Sequence, residues 1–156
     1  MRRNDRAQNR DFSLSLIDHC THGIMAVSTG EATPYCLPLS FVRTGDDLYF
    51  HCAQEGRKVE LLRRFPRVCV TFVGDDRPAF VAPAMYTTYF QSAIVTGTAS
   101  EVTDPGEKAQ ALRALCRKLT PDAMSGFEQA VEKSLSVTEL RKDHMDEDNW
   151  KAKLTQ

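Results

Sequence analysis

The order of hydrophobic and polar positions in the first part of the chain predicts a short helix followed by three strands. Apolar residues after Asp11 recur at helical spacing, and Asp11 is a suitable N-cap for that helix. Segments 23–28, 34–42 and 48–52 then have the β-branched and aromatic composition of strands, with turn residues between them. These three strands are expected to form an antiparallel meander.

A second helix is predicted directly after the meander, because Val59 and Leu62 lie at helical spacing. Residues 67–73 return to the alternation of a strand, and 86–102 have the same pattern over a greater length. Segment 79–83 between them is ambiguous. The middle of the chain therefore adds one helix and two strands.

The last part of the chain predicts two helices and a final strand. Asp104 is the N-cap of the first, residues 120–122 start the second, and 136–141 form the strand. From Lys142 onward the chain becomes a charged tail, in which Trp150 is expected to be a hydrophobic anchor or a cofactor contact.

Proline and glycine positions refine this pattern. Pro34 and Pro38 cannot donate to a sheet ladder, so their strand should lie at an edge and leave backbone groups free. Gly97 indicates a bulge, or a close approach of another part of the chain. Short meandering strands with helices set aside predict an antiparallel barrel of the α+β class.

Composition limits the function. The 156 residues have the length of a single domain, spanning 1–156, and a net charge of −1 argues against general nucleic-acid binding. No apolar run is long enough to span a bilayer, and the N terminus lacks the apolar segment of a signal peptide. We expect a cytoplasmic protein that binds neither nucleic acid nor membrane.

The five cysteines are expected to be reduced thiols, because their number is odd and no C-x-x-C pair occurs. Most of them should pack as small hydrophobic residues of the core. The cluster His19-Cys20-Thr21-His22 lacks a second ligand pair at zinc-site spacing, so no metal site is expected.

The start of the second helix is the strongest candidate for chemistry. Arg57 and Lys58 fall in its first turn, where the helix dipole disfavours cations, and Gly56 precedes them. An anion docked there would meet free backbone N–H groups and two cations. The alternative is that both side chains simply point into water. Neither standard nucleotide-binding loop occurs in the chain.

Five parts of the chain carry a composite pattern, namely segments 23–27, 34–40, 48–53 with 56–58, 68–74 and 92–99. In their order and spacing they resemble the FMN-binding split-barrel proteins, within the nitroimidazole-resistance (Nim-type) branch of the pyridoxamine phosphate oxidase-like superfamily. The resemblance covers about residues 1–140. It implies a six-stranded antiparallel split barrel with flanking helices, forming a homodimer with two FMN molecules in clefts between the subunits.

The resemblance also implies site residues. Arg57 and Lys58 would hold the FMN phosphate. The other implied residues are Leu39, Ser40 and Phe41 beside the isoalloxazine, His51, Cys52 and Ala53 along the ribityl chain and ring, and Tyr86, Tyr89 and Ser92 in the wall from the partner subunit. Tyr86 and Tyr89 could equally be amphipathic strand residues with hydroxyls in water.

In Nim-type relatives the histidine of this strand lies near the flavin and substrate pocket, which makes His51 the candidate catalytic residue. A neutral imidazole there could accept or relay a proton during reduction of a small substrate. The alternative is a hydrogen-bonded wall of the pocket.

Three functional hypotheses follow. The first is an FMN-dependent oxidoreductase passing electrons from reduced nicotinamide, NADH or NADPH, to a small flat acceptor such as a nitroaromatic. The second is a flavin-binding carrier or sensor without turnover. The third is a haem-binding split barrel, in which His51 or His144 would ligate iron.

Overall fold

The computed structural model describes residues 6, 8–146 and 149–153, the last group as backbone only. Its four α-helices are α1 (Arg10–His19), α2 (Arg57–Arg64), α3 (Pro105–Leu119) and α4 (Phe127–Ser134), with a 3₁₀ helix at Pro121–Gly126. Its nine strands are β1 (Gly23–Val27), β2 (Tyr35–Leu39), β3 (Val42–Thr44), β4 (Asp47–Cys52), β5 (Arg67–Val73), β6 (Arg77–Val81), β7 (Met85–Glu101), β8 (Glu139–Met145) and β9 (Asn149–Lys153).

All the strand pairs described are antiparallel, in the order β2-β1-β5-β7-β8-β4-β3, with β6 and β9 paired to the long strand β7. The order leaves β2 and β3 as unpaired edges in the described part of the chain. Pro38 therefore lies within an edge strand, as predicted, and Pro34 lies directly before it. The predicted α+β antiparallel split-barrel class is confirmed.

The strands outnumber the six expected, for local reasons. The segment predicted as one strand over 34–42 is interrupted at Ser40 and Phe41 and continues as β3. The ambiguous segment contains β6, which pairs with the start of β7. The final strand does not end at Arg141 but continues to Met145, although charged residues interrupt its pattern.

The main core lies on the inner face of the sheet. Met25 from β1, Phe50 from β4, Val70 from β5 and Val95 from β7 are fully buried in one cluster, closed at one end by Leu16 and Ile17 of α1 and elsewhere by Leu62 of α2. Strands that are far apart in the sheet order contribute side chains to this one core, so the sheet wraps around it.

A second core lies on the outer face of β3, β4 and β8. Tyr49 and Leu140 pack there against Ala111, Leu112 and Leu115 of α3 and Phe127 of α4. This arrangement covers one side of the sheet with helices and leaves the outer face of β2, β1 and β5 without a covering helix among the described residues.

Local signals explain most element ends. Asp104 caps α3 by accepting from the Glu107 N–H, as predicted. The predicted cap Asp11 of α1 is wrong: Asn9 caps the helix by accepting from the Phe12 N–H at 2.9 Å, and Asp11 lies in the first turn. Asn9 is the cap because its side-chain oxygen is placed to reach the amide of the third helical residue.

Gly97 marks a close approach, one of the two alternatives predicted. It sits where β7 crosses from β5 to β8, and a Cβ atom there would collide with the Asp143 carboxylate and the His144 carbonyl oxygen. None of the helices in the described part of the chain has the length and apolar character that crossing a bilayer requires.

Candidate functional site

The start of α2 is exposed and carries the groups that the sequence predicted for an anion site. Gly56 precedes the helix with φ +114°, a conformation that favours glycine, and no side chain caps the first turn. Arg57 and Lys58 are the first two helical residues, as predicted. The helix start therefore combines a positive dipole end, backbone amides without a side-chain cap and two cations.

Among the residues that the structure describes, no carboxylate pairs with either cation, Arg57 or Lys58. Arg57 instead lies over the ring of Tyr35 on β2, with 5.0 Å between the guanidinium carbon and the ring centroid. The Tyr35 ring orients the Arg57 guanidinium beside the edge strand and leaves its charge available to an anion.

A buried ion pair lies behind this helix start. Glu139 and Arg141 on β8 are both almost fully buried, and Arg141 Nε donates to Glu139 Oε1 at 2.5 Å. Arg63 of α2 approaches the other carboxylate oxygen at 3.4 Å. Burial raises the pKa of the Cys52 thiol, and the charge of Lys58 opposes this shift.

The chain passes from β2 to β3 through residues 39–41, which we call the crossover. All three are predicted site residues. Leu39 ends β2 opposite Gly23, and both it and Ser40 are half-buried. Phe41 is fully buried, with its ring edge-to-face against Phe50 and Phe72 at centroid distances of 5.5 and 5.6 Å. The Phe41 ring therefore belongs to the core, and only the backbone of this residue is available to line a site.

The structure places His51 and Cys52 on opposite faces of β4. His51 is exposed on the outer face, two residues beyond the buried Tyr49, whereas Cys52 points into the barrel. Ala53 is exposed just after the strand. The three residues predicted to line one cofactor wall are therefore split between two faces of the sheet within a single chain.

The three residues predicted for the partner wall lie on β7. Tyr86 is 86% exposed on the β6–β7 hairpin, where it contacts Phe80 at a ring distance of 4.9 Å. Tyr89 is half-buried and faces Arg77 at 5.7 Å, and Ser92 pairs with Val73. Ser92 pairs with the last residue of β5, whereas α2 leads into the first residue of that strand.

An open cleft of about 1120 Å³ lies at the end of α1, beside the start of β1 and the end of β5. His19, Cys20 and His22 from the predicted cluster line it, together with Tyr89. In the part of the chain that is described, no three His, Cys, Asp or Glu side chains group closely enough to hold a metal ion.

The cysteines are free thiols, but they are less uniformly buried than predicted. Cys52 is buried, three others are half-buried, and Cys36 is exposed. The prediction of a core position is wrong for Cys36 because strand alternation turns it to the outer face of β2.

A polar cluster fixes the start of α3 to the outer face of the sheet. The Tyr49 hydroxyl donates to Glu107 Oε1 at 2.8 Å, and Lys142 Nζ donates to the same oxygen at 2.7 Å. Burial, followed by the bond to Glu107, raises the pKa of Tyr49. The bonds from Lys142 and Tyr49 lower the pKa of Glu107.

The site residues predicted from the sequence did not include Tyr35, the ion pair of Glu139 and Arg141, or Lys118, which bonds the crossover. Tyr35 and Lys118 act through partners distant in sequence. Glu139 and Arg141 are close in sequence, but their burial depends on packing that no local signal marks. The only available indication was the alternation of Glu139, Arg141 and Asp143, which places three charged residues on one face of a strand.

The comparisons with known proteins agree with this architecture. The sequence pattern of the pyridoxamine 5'-phosphate oxidase family matches residues 9–150. The chain belongs to this family. The family-level resemblance drawn from the sequence is thereby confirmed. No curated protein sequence matches the chain.

Solved structures share the fold of this family member at low sequence identity. A candidate 5-nitroimidazole antibiotic resistance protein from Bacteroides thetaiotaomicron VPI-5482 is 24% identical, with a TM-score of 0.77 over 94% of this chain and 85% of that one. A flavocytochrome from Azotobacter vinelandii is 20% identical, with a TM-score of 0.83 over 99% and 72%. An FAD and haem binding protein from Mycobacterium smegmatis is 22% identical, with a TM-score of 0.80 over 97% and 73%.

Proposed function

We propose that this protein is a homodimeric FMN-dependent oxidoreductase that passes electrons from reduced nicotinamide to a small flat acceptor such as a nitroaromatic. The observation that carries the proposal is the start of α2. Two cations, which form no salt bridge with any described residue, follow there a glycine that leaves the helix end open. A phosphate is the anion that matches this combination of amides and cations.

The remainder of the flavin would extend along the free edge of β2. Tyr35, beside Arg57, and Leu39, at the crossover, are separated by four residues, or about 13 Å of extended strand. That span suits a phosphate at one end and a ring system at the other. Backbone groups of the edge strand and of Ser40 would bond the ring edge.

Relatives support flavin as the ligand class. The solved structures that share this fold include a flavocytochrome and proteins described as binding FAD. The choice of FMN over FAD is part of our proposal and follows from the single cation pair at α2. When bound, FMN supplies the redox chemistry, and the protein contributes binding, orientation and electrostatics.

The proposed dimer uses the sheet face that carries no helix. Ile24 is 42% exposed and lies between Pro38 and Thr71 in register, with Ile94 beyond Thr71. The next row contains Cys36, Ala26, Cys69 and Thr96, so both rows lack charged side chains. Such a face is typical of an interface between two copies.

A second copy would also bring separated site residues together. The residues at α2 and the residues Tyr86, Tyr89 and Ser92 occupy different regions of one chain. We therefore place the latter in the wall that each subunit contributes to its partner's cofactor cleft. His51 would contact the acceptor and hold or relay a proton at its imidazole.

The first experiment is an absorbance spectrum of the purified protein, followed by heat release and mass identification of the cofactor. We expect flavin bands and FMN. Released FAD would overturn the choice of FMN, and a protein that neither contains flavin nor binds added flavin would overturn the whole proposal.

Turnover separates the enzyme from a carrier or sensor. Reduced nicotinamide should be consumed only when a nitroaromatic acceptor is added to the flavin-loaded protein. Bound flavin without any consumption would favour the carrier.

Haem binding remains a second candidate because two solved structures of this fold are a flavocytochrome and an FAD and haem binding protein. His51 is opposite Leu140 and His144 is opposite Asp47, so the two lie at opposite ends of one sheet face. His144 Nδ1 also lies 2.8 Å from Asp47 Oδ1. A Soret band in the same spectrum would favour haem.

A further inference from the structure

Lys118, in the last turn of α3, links three parts of the fold that are distant in sequence. Its Nζ donates to the Phe41 carbonyl oxygen at 3.0 Å and to the Ile17 carbonyl oxygen at 3.1 Å. Phe41 belongs to the crossover between β2 and β3, and Ile17 to the last turn of α1. One ammonium group therefore fastens the crossover to two helix ends.

Both carbonyls are ones that secondary structure leaves free. Ile17 lies among the last residues of α1, where helix carbonyls have no partner within the helix. Phe41 lies between the last β1–β2 pair, at Leu39, and the first β3–β4 pair, at Val42. Lys118 satisfies both groups, and the three donors of its ammonium suit this bridging.

Burial of the Lys118 ammonium disfavours its charged form. Burial lowers the pKa of Lys118, and the nearby Asp18 carboxylate opposes that shift. Asp18 itself pairs with Arg43, which follows the crossover on β3. The electrostatic contacts around Lys118 thus converge on the segment that joins β2 to β3.

The crossover has two kinds of anchor. The buried ring of Phe41, packed on Phe50 and Phe72, fixes how deeply the segment sits in the core. An apolar ring does not fix the rotation of the adjoining peptide groups. The hydrogen bond from Lys118 does, because it holds the Phe41 carbonyl in one direction.

We propose that Lys118 is a positioning residue for the flavin ring. By holding the Phe41 carbonyl, it sets the direction in which the backbone of Leu39 and Ser40 faces the cofactor. This inference rests on the proposed function, because it takes the crossover as the place where the ring binds. Lys118 itself need not contact the flavin.

The test compares Lys118→Met, which removes both bonds, with Lys118→Arg, which keeps a cationic donor. Ala111→Gly is the matched control, because it weakens the same helix without altering the Lys118 contacts. The melting temperature of each protein is measured first. FMN affinity and the visible spectrum of bound FMN are then measured at a temperature at which all the proteins are folded.

We expect Lys118→Met to weaken FMN binding about tenfold, because the peptide groups of the crossover would no longer be held in the direction that faces the ring before binding, and to shift the flavin absorption bands. Lys118→Arg should restore most of the affinity. Ala111→Gly should lower the melting temperature and leave affinity and spectrum unchanged. If Lys118→Met does not fold, Lys118→Gln is measured in its place.

Two different failures can be told apart. Wild-type protein that binds no flavin overturns the proposed function and this inference together. Wild-type protein that binds FMN, with a Lys118→Met variant of equal affinity and identical spectrum, overturns the positioning role alone. Equal losses of affinity in Lys118→Met and Ala111→Gly would also overturn it, because the effect would then follow stability.

Discussion

The guanidinium of Arg57 lies over the ring of Tyr35, so a residue of the first helical turn after the β4 strand is held against the edge strand β2. The contact joins positions that are far apart in sequence and restricts a long, flexible side chain. A cation held in place loses less conformational entropy when it binds an anion. Tyr35 is therefore a support for the proposed phosphate site.

Replacing Tyr35 with alanine should weaken FMN binding. Loss of the cation–π contact costs roughly 0.5–1 kcal/mol at an exposed site, equivalent to a decrease of about two- to fivefold in affinity. Titration of the apoprotein with FMN, followed by flavin fluorescence, measures the change. Tyr35→Phe keeps the ring and should bind as wild type does. A weak-binding phenylalanine variant would instead assign the effect to the hydroxyl.

Removing Arg57 and Lys58 together should nearly abolish FMN binding. Each charge-assisted bond contributes roughly 1.5–3 kcal/mol, so the double alanine variant should bind at least about a hundredfold more weakly. Arg117→Ala with Lys133→Ala removes the same charge from exposed positions elsewhere and serves as the control. Equal affinity of the two double variants would count against the α2 site.

His51→Ala should retain FMN and lose turnover. General acid–base groups contribute roughly 10²–10⁴-fold to rate, so the rate of acceptor reduction should fall by at least about a hundredfold. His51→Gln keeps a hydrogen-bonding side chain that cannot exchange a proton near neutral pH, and it should be equally slow. Loss of FMN from the alanine variant would make His51 part of the cofactor wall.

Gly97→Ala should unfold the protein or destabilise it by more than about 3 kcal/mol. The new methyl group would collide with the His144 carbonyl oxygen and the Asp143 carboxylate, and a backbone atom in a paired strand cannot move aside cheaply. Gly126→Ala is the matched control, since a Cβ there meets nothing within 4 Å. Urea unfolding of both variants gives the comparison, and similar midpoints would contradict the steric argument.

Glu107→Gln should reduce stability at neutral pH, and the difference should disappear in acid. The bonds from Lys142 and Tyr49 lower the folded-state pKa of Glu107 below its ordinary 4.5. A depressed carboxyl pKa stabilises the folded state above the unfolded pKa and loses that effect as pH falls through the folded pKa. We expect a difference of about 1 kcal/mol at pH 7. Unfolding free energies of both proteins, measured from pH 7 down to pH 3, test this, and a difference independent of pH would refute it.

Local sequence signals predicted those elements well whose structure depends mainly on neighbouring residues. The bounds of β5, the Asp104 cap of α3 and the basic first turn of α2 are as expected. The cap of α1 was misplaced because Asn9 and Asp11 are both good capping residues, and only the path of the chain decides which oxygen reaches the amide.

The end of β8 could not be predicted because its charged residues beyond Arg141 have partners in other elements. Lys142 donates to Glu107 of α3, and His144 lies against Asp47 of β4. Glu139 and Arg141 face the barrel interior and pair with one another, and Arg63 of α2 approaches the same carboxylate. A buried charge is tolerated only when it is paired and hydrogen-bonded. In the sequence, Glu139 and Arg141 fell within the predicted final strand, and the residues from Lys142 onward read as a charged tail. The side chain of Trp150, expected to be an anchor or a cofactor contact, lies outside the described residues.

The sequence by itself determined the α+β class, the edge position of the proline-containing strand and the cations at the start of α2, because periodicity, missing proline donors and helix starts are properties of neighbouring residues. Only the tertiary structure decided that Tyr35 supports Arg57, that Phe41 is buried while Ser40 stays accessible, and that Lys118 holds the crossover. Those relationships join residues far apart along the chain, and packing alone brings them within the few ångströms at which hydrogen bonds and ring contacts act.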